Sequence, residues 1–303
     1  MSQKLIELKH RMRSVSNIQS TTQTMSTVAA AKLARSRSKA LSLQAYVKRM
    51  REIVSTQSAY FEELGEISPF FSPKGKGEKI MLVVITSDIG MCGSYNGQIC
   101  RYAQSFIESH EEKGIPVGAW SKGLKGEEFF RRKTKYRVEG YDPWSPEGVA
   151  LNDAVKLLYT MSDFFMREDV KEVYCAYTRF ISAAKREPKI IKMFPLGMET
   201  LTWGKEHKFQ DWIYEPNAHD LLEELIPNYI RTQVYDLLLE SYASEQGARM
   251  MAMEEASDRA EKTLKELRIH YNRIRRDLVT LDLLGILSAA KVIEKEAASS
   301  IGF

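Results

Sequence analysis

The stretch SDIGMCGSYNG, residues 87–97, gathers the side chains with the most chemical promise in this 303-residue chain. It follows an apolar run and leads into a helical pattern. Gly90, Gly93 and Gly97 invite comparison with loops whose backbone amides, together with a helix N-terminus, cradle phosphate. The spacing is not that of a Walker loop, since no Gly-Lys-Ser/Thr follows, and it is not G-x-G-x-x-G. A tight strand-to-helix turn is the preferred reading. Asp88 beside Cys92 offers a carboxylate and a thiol, but no histidine stands near them in sequence, and no nucleophile–base arrangement emerges.

The remaining candidates are sparse. His10, His110, His207, His219 and His270 do not pair with one another or with a cysteine at metal-ligand spacing, so each is expected at the surface. Cys92, Cys100 and Cys175 form no disulfide framework. Their apolar neighbours predict buried or half-buried thiols, which suits a reducing compartment. No catalytic residue, cofactor or metal ion is expected.

Charge is uneven. Between Met1 and Arg51 the basic residues are Lys4, Lys9, Arg11, Arg13, Lys32, Arg35, Arg37, Lys39, Lys48, Arg49 and Arg51, against the single acid Glu7. A solvated basic face or an acidic protein partner is expected from this bias. Nucleic acid is not, because the interleaved aromatics of a single-strand binder are missing. No run reaches the roughly 18 apolar residues of a membrane span. Met1 leads straight into charged residues, so no secretory signal is expected, and the basic start reads as a folded helix rather than a transit peptide.

Three segments must position these residues. Residues 3–59 contain neither proline nor glycine. Leu8, Met12, Val15, Thr22, Met25, Ala29 and Leu33, then Leu43, Tyr46, Val47, Met50 and Val54, follow a helical stripe. Such a helix would be about 85 Å long. Gly65, Pro69, Pro73, Gly75 and Gly77 mark a linker. Residues 79–87, 115–120, 170–180 and 189–196 then read as strands, with helices near 97–112, 124–132 and 149–167. That alternation predicts an α/β domain with a mostly parallel, Rossmann-like sheet. From Pro216 the pattern is helical again, and Pro227 could kink or break it. Ala260, Leu264, Leu267, Tyr271, Ile274, Leu278 and Leu281 alternate steps of four and three, which is a coiled-coil seam.

The first segment is the economical partner for that seam; a second copy of the chain is the alternative. Pairing the ends makes a long antiparallel coiled coil with the α/β domain inserted. The predicted division is an N-terminal helix (1–62), a linker (63–78), the α/β domain (79–215) and a C-terminal helix (216–303). Met250, Met251 and Met253 crowd one turn of the last helix, too many for one face. Unbranched thioethers suit a surface that must fit more than one neighbour.

Several stretches carry a family resemblance. SEQGARMMAMEEASDRA (244–260), continuing through Tyr271-Asn272-Arg273, resembles the C-terminal signature of the gamma subunit of F-type ATP synthases. YEPNAHDLLEELIPNYIRTQVYDLLLES (214–241) resembles its lead-in, LKHRMRSVSNIQSTTQTMSTVAAAKLARS (8–36) its opening helix, and SDIGMCGSYN (87–96) its Ser-Asp-Arg-Gly-Leu-Cys-Gly motif. The resemblance covers essentially the whole chain.

It implies a rotor shaft that makes no bond and binds no nucleotide. The coiled coil would stand inside a hexamer of alpha and beta subunits, with the α/β domain near the epsilon subunit and the membrane c-ring. Membrane contact would be indirect, on the cytoplasmic face of a bacterial or archaeal plasma membrane. Carried over residue by residue, Arg11, Arg13, Met25, Arg275, Arg276, Thr280 and Asp282 would meet the hexamer. Trp212, Tyr214 and Glu215 would form the foot on the c-ring.

The chain also departs from the pattern. Gln23 and Ser26 stand where the family carries lysines, Ile89 replaces the arginine of the Asp-Arg-Gly motif, and Asp282 and Gly285 replace glutamates. These changes leave open a shaft specialised for hydrolysis, or a coiled-coil scaffold that has left the motor.

Overall fold

A computed structural model of the chain describes residues 3–56, 70, 77–136, 138–145, 147–196 and 218–300. The elements are α1 (Gln3–Thr56), β1 (Lys79–Ile85), α2 (Tyr95–Glu111), β2 (Val117–Lys122), α3 (Leu124–Lys133), β3 (Val138–Asp142), α4 (Leu151–Phe165), β4 (Val170–Phe180), β5 (Arg186–Phe194) and α5 (Ala218–Ser300). They fall into two compact units. One joins Met1–Met25 to Met253–Phe303, and the other is Ser26–Ala252.

The larger unit is built on a five-stranded sheet in the order β3-β2-β1-β4-β5. All neighbours pair in parallel except β4 and β5. β1 lies at the centre, and its KIMLVVI run is buried on both sides as a central parallel strand requires. Alternate residues serve opposite faces. Leu82 and Val84 pack with Ile99, Cys100, Ala103 and Ile107 of α2 and with Phe130 of α3. Met81, Val83 and Ile85 pack in a second cluster with Leu157, Met161 and Phe165 of α4, Ile230, Val234 and Leu238 of α5, and Met50 of α1. The termini therefore supply part of the core of the domain inserted between them.

Within this unit α1 and α5 run antiparallel. The Ser36 hydroxyl donates to the Leu239 carbonyl at 3.1 Å, and the Ser26 hydroxyl to the Met250 carbonyl at 3.3 Å. Going back along α1 thus means going forward along α5. Lys39 donates to the Val149 carbonyl at 3.0 Å, and the Arg37 guanidinium lies 5.4 Å from the centre of the Phe180 ring, fixing α1 to the domain.

Some boundaries differ from the sequence expectation. β3 was not expected; it is a short edge strand whose residues alternate between half-buried and exposed, so its apolar signal is weak. β2 starts and ends two residues later than expected because Ser121 and Lys122 are fully buried. Lys122 is tolerated there through an ion pair with Asp142 at 2.5 Å and a hydrogen bond to the Pro143 carbonyl at 2.9 Å. β5 starts at Arg186, and Pro188 is accommodated because β5 is an edge strand. α5 continues through Pro227 without a break.

In the smaller unit the seam of α5 is buried at Ala260, Leu264 and Leu267 and half-buried at Tyr271, Ile274 and Leu278. Leu281 departs from expectation, with 62% of its surface exposed. Counted back from the bond between Ser257 and Gln23, Gln3 of α1 falls level with Asp277, so among the described residues none of α1 lies opposite Leu281. On α1, Leu5 is buried and Leu8, Met12, Val15, Thr22 and Met25 are half-buried, with Gln19 filling the gap in the stripe. In the larger unit, further along α1, Tyr46 is exposed, while Val47 and Met50 are buried and Leu43 is half-buried.

Candidate interaction surfaces and the loop after β1

The sheet order changes direction at β1, where an α/β fold usually binds a ligand beyond the strand's C-terminal end. The loop following β1 is SDIGMCGS, and here α5 fills that place. Arg249 donates through Nη2 to the Ile89 carbonyl at 3.0 Å and reaches the Gly90 carbonyl at 3.5 Å. Its Nη1 pairs with the Glu245 carboxylate at 2.7 Å. Cys92, Tyr95 and Ala248 form a small buried cluster. The Tyr95 and Ser241 hydroxyls lie 2.8 Å apart, and Ser244 donates to the Thr178 carbonyl at 3.0 Å. The loop thus points carbonyl oxygens, not amide protons, at its neighbour. That is the wrong polarity for a phosphate, and the turn reading holds over the phosphate-loop reading.

The loop is held by its own residues as well. The Ser87 amide donates to Asn96 Oδ1 at 3.0 Å, and Asn96 Nδ2 donates to Ser87 Oγ at 2.7 Å. Asp88 accepts the Leu124 amide at 2.8 Å and the Trp144 amide at 2.7 Å, so both carboxylate oxygens serve as backbone caps. Cys92 is buried, and burial raises its thiol. Asp88 and Cys92 are therefore structural. Cys100 and Cys175 are also buried, as expected, and burial pushes the Cys175 thiol up to about 12. Gly126 lets α3 approach β1 and β2; a Cβ there would sit 2.2 Å from Ser121 Oγ.

Among the histidines, His10 and His270 are exposed and His110 is half-buried, while His207 and His219 lie where no side chain is described. Among the described residues no group of histidine, cysteine or acidic side chains could hold a metal ion, and no helix is long and apolar enough to cross a membrane.

The expected contact residues lie in the smaller unit. Arg11, Arg13, Arg275, Arg276, Thr280 and Asp282 are all exposed, and Met25 is half-buried on the seam. Thr280 donates back to the Arg276 carbonyl at 2.9 Å. From Val279 to Ile293 every residue of α5 is exposed, including Leu283, Leu284, Ile286 and Leu287. Sequence reasoning named Leu281 as seam but missed this apolar run; its density of leucine and isoleucine was the available signal. Sequence reasoning also missed the Glu245–Arg249 pair, although the spacing of four on a helix hinted at it. The three methionines divide: Met253 is buried, Met250 half-buried and Met251 exposed. Trp212, Tyr214 and Glu215 lie outside the described residues.

Comparison with known proteins agrees with this architecture. The family model described as ATP synthase matches residues 4–293. The ATP synthase gamma chain of Geobacter metallireducens is 32% identical over 290 residues, covering 96% of this chain and 99% of that one. The gamma chain of Cupriavidus necator is 31% identical over 290 residues, covering 95% and 98%. Among solved structures, a chain of the Euglena gracilis mitochondrial ATP synthase (OSCP/F1/c-ring) aligns with a TM-score of 0.63 at 16% identity, over 96% of this chain and 94% of that one. A chain of the Tetrahymena thermophila mitochondrial ATP synthase central stalk and c-ring aligns with a TM-score of 0.57 at 24% identity, over 78% and 99%. At these identities the solved structures speak for the fold, whereas the family match and the bacterial relatives speak for descent: the chain belongs to the gamma-chain family of ATP synthases.

Proposed function

We propose that this chain is the non-catalytic central shaft of an F-type ATP synthase, coupling ion flow through a c-ring to conformational change in an alpha/beta hexamer. Residues 1–62 and 216–303 form the shaft, 79–215 the α/β domain and 63–78 the linker between them. The observation that carries the reading is the exposed end of α5, set on a paired coil in a chain of this family. Its residues 279–293 are largely apolar, with Asp282 and Lys291 the only charged ones. An apolar surface of that extent calls for a partner. Along 279–293 the scarcity of fixed charges lets a shaft turn without breaking strong ion pairs there, with the charged contacts placed below it at Arg275 and Arg276 and on the first helix.

In this reading Arg11, Arg13, Met25, Arg275, Arg276, Thr280 and Asp282 meet the hexamer. Trp212, Tyr214 and Glu215 form the foot at the c-ring and the epsilon subunit. The shaft is held at the membrane from the cytoplasmic side through the ring. It performs no bond chemistry. It acts as a ligand with different affinities for the conformations of one catalytic subunit.

The test is affinity purification of the tagged chain from its native membranes, with mass spectrometry of the co-purifying proteins. Alpha, beta, epsilon and c subunits are expected in fixed proportion. Recovery of the chain without them would overturn the assignment.

A further inference from the structure

A pocket of about 230 Å³ opens between α2 and α3, on the face of the sheet that carries Leu82 and Val84. Three cations line it: Arg101 from α2, and Lys125 and Arg132 from α3. The one carboxylate in the lining, Glu128, is bonded to Lys125 at 2.7 Å. Among the described residues neither Arg101 nor Arg132 makes a salt bridge. Arg101 folds back over the first turn of α2, where a Cβ at Gly97 would lie 3.3 Å from its Nη1. The accessible apolar part of the lining is Phe129, half-buried, with the fully buried Cys100 beneath the floor.

We infer that this pocket binds a small organic anion carrying a flat apolar group beside a phosphate or a chemically similar oxyanion. Lys125 is already matched by Glu128, which leaves the guanidinium groups of Arg101 and Arg132 as the unmatched charge around the concavity, and an oxyanion between them relieves their repulsion. Guanidinium groups bind such an anion through paired N–H donors, which also fixes its orientation. A bare phosphate would leave the Phe129 side wet, whereas a ring beside the phosphate would cover it. The space is below the roughly 300–1,000 Å³ of pockets for drug-sized ligands, so the ligand is a single ring or smaller. The site adjoins the loop after β1 through Asn96, which lines the pocket and bonds Ser87, and it stands whether or not the chain turns in a motor.

The test is isothermal titration of the full-length chain at low salt with phenyl phosphate, inorganic phosphate and phenol. Phenyl phosphate is expected to saturate at one per chain. The double variant Arg101→Gln/Arg132→Gln should weaken it by about tenfold or more, the loss expected for charge-assisted hydrogen bonds. Arg131→Gln, which alters a neighbouring arginine outside the pocket, should leave affinity unchanged. Inorganic phosphate and phenol should each bind at least about tenfold more weakly than phenyl phosphate, because each fills one half of the site. Absence of saturable phenyl phosphate binding, or affinity unmoved by the double variant, would overturn the site. Equal affinity for inorganic phosphate would overturn the apolar half of the ligand assignment. Both arginines are exposed, so the variants should fold, and a single-site variant, Arg132→Gln, provides a second reading of the same loss.

Discussion

The Ser257 hydroxyl on α5 donates a hydrogen bond to Gln23 Oε1 on α1 at 3.1 Å. The resemblance places a lysine at position 23 and another at position 26. Here Gln23 bonds Ser257, and Ser26 bonds the Met250 carbonyl. Two lost charges thus coincide with two bonds between helices. Gln23→Ala and Ser257→Ala should each cost about 0.5–1.5 kcal/mol, the net worth of one such bond. The double variant should cost little more than the worse single one, because both remove the same interaction. Urea unfolding of the four proteins checks this; strictly additive losses would mean that the bond contributes nothing.

Glu245 and Arg249 are 6% and 10% exposed as side chains and 2.7 Å apart. Burial pushes the Glu245 carboxyl up, while the Arg249 guanidinium opposes that shift. Arg249→Met leaves the carboxylate without its ion-pair partner, with only the Gln246 amide at 3.2 Å still donating to it, and releases the Ile89 carbonyl, at a cost of about 3–5 kcal/mol. Adding Glu245→Gln should restore a large part of that loss. If the single variant melts with the wild type, the pair does not hold the loop.

Glu240 lies on α5 with its carboxyl pushed up from the usual 4.5 to about 7, first by burial and then by Asp236, against Arg179 and Lys189. The folded chain therefore keeps a proton that the unfolded chain gives up. The stability this contributes is full below about pH 4.5 and is lost as pH rises through about 7. Glu240→Gln should flatten the fall in urea midpoint between these limits and stabilise the chain at pH 8. An unchanged pH slope in the variant would remove Glu240 as its source.

Arg275 and Thr280 are exposed on α5, and Thr280 bonds only back along its own helix in the described hydrogen bonds. Arg275→Ala and Thr280→Ala should therefore change the stability of the isolated chain by no more than about 0.5 kcal/mol. In the assembled complex each should lower ATP-driven ion pumping more than ATP hydrolysis. Normal pumping in both would count against their assignment as hexamer contacts.

Much of the sheet was legible because its strands are buried on both faces and so keep a continuous apolar run. The expected span of β4, residues 170–180, matches the structure end to end. β3 escaped notice because only one of its faces is sheltered, and Glu139 and Asp142 lie within it. The end of β2 was unreadable because Lys122 is buried by a partner on another strand, at position 142.

The sequence by itself determined the two long helices, the inserted α/β domain and the family. These rest on local signals: a helical period, the absence of breakers from 3 to 59, and motifs quoted as they stand. The tertiary structure alone decided three further matters. It showed that α5 fills the crevice beyond β1, because only folding brings Arg249 to the carbonyl of Ile89. It ended the buried seam near Leu278 among the described residues, because the register between the two helices, not the heptad pattern, sets which α5 positions face α1. And it gathered Arg101 and Arg132 around one pocket, because α2 and α3 lie side by side on one face of the sheet. Periodicity along a chain predicts which face is apolar; what that face meets depends on contacts between residues far apart in sequence.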